Sequence, residues 1–235
     1  MTRSIADQTT EELGGPGSVL ARQRRDHEEL DRLLHELDGT EGAAQEEVLT
    51  RIDRLVFSHA FAEETVLWPV IRRVLPDGDA LTLQVEEEHQ EVNELVSALE
   101  RGGLDDPERP ARLRRLVEVL RADVRDEEDV LLPRLQERLR PDELRALGRR
   151  WAVMARISPT RPHPTVSRRP PGNALSGLPL SLIDRTRDAV DAVVRRAPDR
   201  FVPAGRAVGS GLAAVAGVVE RAPLARRGDR PPTSR

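Results

Sequence analysis

The sequence predicts an all-α protein: an up-down-up-down four-helix bundle made from a duplicated helical hairpin. A short fifth helix and a Pro/Arg-rich, partly helical C-terminal tail follow it. Three observations predict this. Four long segments carry apolar residues at helical spacing, separated by short Gly, Pro and Asp breaks. Aromatic residues make up only 2% of the chain, so the core must be built from Leu, Val, Ile and Ala, which suits helix packing. Two stretches also recur. SHAFAEETVLWP (Ser58–Pro69) returns as ADVRDEEDVLLP (Ala122–Pro133), and DHEELDRLLHEL (Asp26–Leu37) as EHQEVNELVSAL (Glu88–Leu99). Their offsets, 64 and 62 residues, are nearly equal, as two copies of one hairpin require.

After a flexible N-terminus (1–16), the first helix runs from the N-cap Ser18 to Asp38, with the stripe Leu20, His27, Leu30, Leu34, Leu37. The second runs from Gly42 to Leu75 through Ile52, Val56, His59, Glu63, Val66 and Val70. After Pro76-Asp77-Gly78, the third reaches Arg101 through Val85, His89, Val92, Val96 and Leu99. The fourth begins between Pro107 and Pro110 and carries Leu116, Leu120, Asp123, Glu127 and Val130. Pro69 and Pro133 each remove a backbone donor late in a helix and predict a kink there. A fifth helix over Pro141–Ala155 completes a bundle spanning 17–155. Residues 156–180 read as an extended Pro/Arg linker, and 181–235 as a basic Ala/Val-rich tail of short helices or no fixed structure.

The net charge of −4 hides an asymmetry. Residues 156–235 hold 15 arginines against six acids, a balance of +9, which leaves −13 on the first 155. Cysteine is absent, which excludes disulfides, thiolate metal sites and a cysteine nucleophile. Without tyrosine there is no tyrosyl-radical chemistry. The N-terminus has no apolar signal region and no unbroken run of about 18 apolar residues occurs. A cytoplasmic protein is the expectation. For the tail, the lack of aromatic interleaving gives no nucleic-acid partner. A basic amphipathic segment is compatible with a membrane surface, but the stripes lack Trp and Leu bulk, which counts against one. Docking on the acidic bundle, on a protein partner of unknown kind, or no order at all are the readings preferred for it.

Polar residues stand where the helical stripes require apolar ones. His27, His59, Glu63, His89, Asp123 and Glu127 all lie in phase with the buried face of their helix. Each unsatisfied buried polar group costs about 1–3 kcal/mol, and a charge more, so six at once need a common compensation. A pair of metal ions supplies one, because imidazole and carboxylate are shared ligands of iron, manganese and zinc. The alternative is a salt-bridged buried network. Glu64 and Glu128 sit one step out of phase, which makes them solvated or outer-shell groups. Asp31 and Asn93 are boundary residues able to orient a ligand, and His35 and His163 fall outside the pattern.

The order His27, His59-x-x-x-Glu63, His89, Asp123-x-x-x-Glu127, with EExxLxP endings at Glu63–Pro69 and Glu127–Pro133, resembles the hemerythrin-like HHE cation-binding family over residues 16–155. The resemblance implies a non-haem centre of two iron ions, with manganese or zinc as alternatives. His27, His59, His89 and Asp123 would be terminal ligands, and Glu63 and Glu127 bridges. It implies O₂, nitric oxide or peroxide as the small ligand, and a role in oxygen, nitric oxide or redox sensing, or in iron and oxidative-stress handling. A di-iron oxidase, a peroxide-consuming enzyme, or a structural bundle with a docking tail are the alternatives. The chain departs from the family at Asp123, where histidine is usual, and at Asn93, where oxygen carriers have a further histidine. Both departures argue against reversible oxygen carriage.

Overall fold

A computed structural model describes residues 3–228 and 233. The first two residues of the expected N-terminal segment, and 229–232 and 234–235 of the expected tail, lie outside the described residues. Nine α-helices make up the described chain, and no strand occurs among the described residues. Helix α1 is Val19–Asp38, α2 Gly42–Ala62, α3 Trp68–Val74, α4 Gly78–Gly102 and α5 Arg109–Asp126. Then come α6 Leu132–Gln136, α7 Pro141–Ile157, α8 Gly172–Val194 and α9 Val202–Glu220.

Ser18 caps α1 as its residue type predicts, its hydroxyl accepting from the Ala21 amide at 3.1 Å. The kinks predicted at Pro69 and Pro133 take a definite form. Residues Glu63–Leu67 and Glu127–Leu131 each make a π-helical turn, joining α2 to α3 and α5 to α6. The Trp68 amide donates to the Glu63 carbonyl and the Leu132 amide to that of Glu127, one residue further back than in an α-helix. The next residue in each case is the proline that has no amide to give.

The bundle has two apolar cores with a polar layer between them. One core joins Leu20 and Ala62 to Leu67, Trp68, Val85, Leu131 and Trp151. The other joins Leu30, Ile52 and Phe57 to Val92, Val96, Leu116 and Leu120. Each of α1, α2, α4 and α5 crosses from one core to the other at His27, His59, His89 and Asp123 respectively. The polar layer is therefore fixed from both sides by packed aliphatic side chains.

Residues 3–16 and the segment that follows α7 are better ordered than the sequence suggests. Residues 3–16, expected to be flexible, bury Ile5 and Leu13 in the first core, and Gln8 pairs with Gln136. The expected linker is a packed strap. His163 backbone N–H donates to Asn93 Oδ1 at 3.0 Å, and Arg169 pairs with Glu86 at 2.8 Å. Helix α8 starts at Gly172, inside the expected linker of 156–180, and Gly177 lets its backbone pass Phe61; a Cβ there would lie 2.3 Å from the ring. Helix α9, whose apolar run Arg206 and Ser210 break, is long and apolar enough in composition to cross a membrane.

Candidate metal centre

All six predicted residues meet in the polar layer. Glu63, Glu127, His89 and His27 are buried, and the side chains of His59 and Asp123 are only 12% and 13% exposed. Donor atoms converge in two groups, His27–His59–Glu127 and Glu63–His89–Glu127, each with all three atoms within 4.8 Å of one another. Glu127 belongs to both. Asp123 lies beside them, its Oδ1 3.7 Å from His89 Nε2.

Every histidine turns Nε2 inward. His59 Nε2 is 3.1 Å from Glu63, His27 Nε2 3.2 Å from Glu127 and His89 Nε2 3.6 Å from Glu63. Each also gives Nδ1 to an outer carboxylate: His27 to Glu128 at 2.8 Å, His89 to Glu64 at 3.0 Å, and His59 to Asp26 at 3.2 Å. This is the arrangement that fixes the ring and tautomer of metal-binding histidines. The outer contacts obey the duplication. Glu64 of the first hairpin holds the histidine of the second, and Glu128 of the second holds that of the first. Asp26 and Glu88 are likewise equivalent: Asp26 holds His59, while Glu88 lies against Asp123.

Of the two readings the sequence leaves for Glu64 and Glu128, solvated or outer-shell, the outer-shell one holds: each meets a histidine Nδ1, and Glu64 is 2% exposed. A straight α-helix sets them one step out of phase, whereas each π turn spreads its residues over a wider loop and lets both members of an acidic doublet face inward. Asp26 and Glu88 escaped the helical-stripe criterion. A signal existed, since an acid precedes the histidine in both copies of the repeat.

Burial pulls the imidazoles toward neutrality, but the adjacent carboxylates overcome it. His27 is raised to about 9 by Glu127 and Glu128, and His89 to about 10 by Asp123, Glu64 and Glu63. Burial, and then the charge of Glu127, push Asp123 well above the usual carboxylate range. Even so, both carboxylate oxygens of Glu63, Oε1 of Glu127 and Oδ1 of Asp123 are buried without a hydrogen bond of good geometry, despite nearby imidazoles. Four buried oxygens without a well-directed hydrogen bond, three of them at 3.1–3.7 Å from an inward Nε2, fit a cation-binding centre better than a network held by ion pairs alone. The chain's two tryptophans wall this centre. Trp151 meets His59 edge-on at 5.5 Å, and Trp68 stacks on His89 at 6.4 Å.

Residues 18–135, half of the chain, match the profile of the hemerythrin HHE cation binding domain. The chain belongs to the hemerythrin family. It is similar to a hemerythrin-like protein of Schizosaccharomyces pombe, at 25% identity over 57% of this chain and 66% of that one. It is also similar to a DNA nickase of a Nostoc species, at 28% identity over 51% of this chain and 34% of that protein. The matched part thus spans less than two thirds of either relative. No solved structure matches the chain. As a hemerythrin-family member this is a metal-binding helical protein, and the six residues found from spacing lie together in its one doubly repeated polar layer.

Proposed function

We infer that this hemerythrin domain holds two adjacent iron ions and senses a small oxidant or diatomic ligand, or handles iron under oxidative stress. Glu127, common to both donor groups, carries the reading, because a carboxylate placed between two donor sets is suited to bridge a pair of cations. His27 and His59 complete one set, Glu63 and His89 the other, and Asp123 stands at the second as a further oxygen donor. Bound iron would supply O₂ binding and one-electron chemistry that no side chain of this chain offers. The residues themselves orient, neutralise and exclude. Asp26, Glu64 and Glu128 hold the rings, and the two tryptophans and two aliphatic cores keep bulk water out.

The space beside the centre restricts the ligand. A cavity of about 20 Å³ touches His27, His59, His89 and Asp123, which is room for roughly one water-sized molecule. That suits O₂, nitric oxide or peroxide. A cavity of about 580 Å³ lies along Leu49, Asp53 and Glu100 and touches none of the six, and an open cleft of about 400 Å³ reaches His27 alone among them. The three carboxylates among the six favour a harder ion, Fe(III) or manganese, and count against reversible oxygen carriage.

Anaerobic iron loading, elemental analysis and an absorption spectrum after oxidation test the reading. Iron with oxo-bridge charge-transfer bands is expected, with metal content reduced in His59→Ala. Folded protein that retains no metal would refute it. The alternative of a peroxide-consuming enzyme predicts multiple turnovers of hydrogen peroxide by the loaded protein, where a sensor reacts once and stops.

A further inference from the structure

The C-terminal helices carry a surface that the metal centre does not use. Helix α9 contains a stretch of mean hydropathy 1.4, of which only 6% is buried. Val208, Val215 and Val218 lie on one face of it, each more than half exposed. A neighbouring side is spent on α8, where a Cβ on Gly205 would lie 2.1 Å from Val194. Four interior glycines (205, 209, 211 and 217) weaken this helix against alanine, and among its described residues only Ala216 is buried. A helix of this composition gains its stability from something that covers the open face.

Helix α8 adds a second uncharged face. No charged residue occurs from Gly172 to Ile183, and Leu175, Leu178 and Leu182, at i, i+3 and i+7, are 53%, 63% and 70% exposed. These leucines supply the bulk that the sequence stripes lacked, because the helix starts earlier than its pattern indicated. In the bundle, Leu104, Val130 and Val153 are the large apolar side chains so exposed among the described residues, and they are far apart in sequence.

Charge identifies the occupant. Exposed Arg195, Arg196 and Arg200 precede α9, exposed Arg221, Arg226 and Arg227 follow it, and residues 201–219 contain no acid. An apolar helix bracketed by guanidinium groups matches a layer with phosphates outside and hydrocarbon within. A second copy fits worse. Its own hairpin repels this one by sign, and the large apolar side chains its bundle exposes among the described residues are only Leu104, Val130 and Val153. We propose that the α8–α9 hairpin docks this protein on the surface of an anionic lipid bilayer, with α9 lying in the headgroup plane. The proposal is independent of which metal the bundle holds.

Flotation of the full-length protein with vesicles tests it. The protein is expected to float with phosphatidylcholine vesicles containing phosphatidylglycerol, to stay behind with phosphatidylcholine alone, and to be released by salt. Each of Arg195→Gln, Arg196→Gln and Arg200→Gln should weaken binding about five-fold, as one surface cation contributes. Val208→Ser combined with Val215→Ser and Val218→Ser should abolish flotation while helix content and metal content stay unchanged. Failure to float with the anionic vesicles, or equal flotation with both kinds, overturns the proposal. So does a dimer in light scattering that the same valine changes dissolve, since the face is then covered by a second copy.

Discussion

His27 is held by Glu128, whose side chain is 13% exposed and borders an open cleft of about 400 Å³ shared with Arg24 and Arg121. His89, its counterpart in the second hairpin, is held by Glu64, which is sealed from water and faces the buried guanidinium of Arg168 at 3.8 Å. Arg168 comes from the strap after α7 and is fixed there by Gln90 Oε1 at 3.0 Å. The duplicated hairpins thus supply equivalent ligands, but the C-terminal layer covers only one of them. Inequivalence of the two halves arises outside the repeat as well as from Asp123 within it. The outer carboxylate near the cleft can exchange with solvent, and the one under the strap cannot.

Removing Glu127 is the severest way to break this comparison. Glu127→Ala should deprive both halves of metal, a loss beyond the roughly 10–100-fold typical of outer-shell changes. Glu63→Ala should also touch both, because its carboxylate lies 3.1 Å from His59 Nε2 and 3.6 Å from His89 Nε2. Elemental analysis checks both variants, and full metal content in Glu127→Ala would contradict the sharing of Glu127.

Alkaline pH should erase the asymmetry by loosening the strap. His163 is buried, which opposes its charge, yet its hydrogen bonds to Asp184 and Glu220 raise it to about 9. A pKa raised on folding from an ordinary 6.5 stabilises fully below about pH 6.5, and that contribution is lost as pH climbs through 9. The shift corresponds to on the order of 3 kcal/mol. Thermal unfolding of wild type against His163→Gln should show a stability gap that closes between those pH values. A gap independent of pH would mean that the imidazolium is not what holds the layer.

Outer-shell changes should be smaller and unequal. Glu64→Gln and Glu128→Gln should each weaken metal binding about 10–100-fold. Only Glu64→Gln also leaves Arg168 buried without its counter-charge, for an additional cost of roughly 1–3 kcal/mol in denaturant unfolding. Equal stabilities for the two variants would show that the strap does not distinguish the halves. The mildest expected effect is that of Asp123→His. It restores the usual family residue and gives Glu88 an imidazole to hold, as Asp26 holds His59, so metal on that side should bind more tightly, by about the 10-fold lower end of an outer-shell effect. Titration followed by quenching of Trp68 and Trp151, which touch His89 and His59, reads both sides.

The four long helices, the Ser18 cap and the inward placement of all six donors were legible because each depends on local period and phase. Glu64 and Glu128 stay open between solvent and the outer shell because a π turn changes the period for a few residues, and the proline that accompanies it announces a disturbance without its direction. The strap was read as a linker for a different reason. His163 and Arg168 are held by Asn93, Gln90, Asp184 and Glu220, polar partners 21 to 78 residues away in sequence, and such pairs leave no periodic trace. Composition alone then favours an extended chain.

Asn93 joins these two stories. Its amide nitrogen donates to the His89 carbonyl at 2.9 Å, and its oxygen receives the His163 backbone amide at 3.0 Å, so the side chain is fully engaged in holding the strap. A histidine at this position, as the resemblance to oxygen carriers would have it, could add a donor only by surrendering that anchor. In this fold, anchoring a C-terminal cover and completing a histidine-rich oxygen carrier's ligand set are competing uses of one residue.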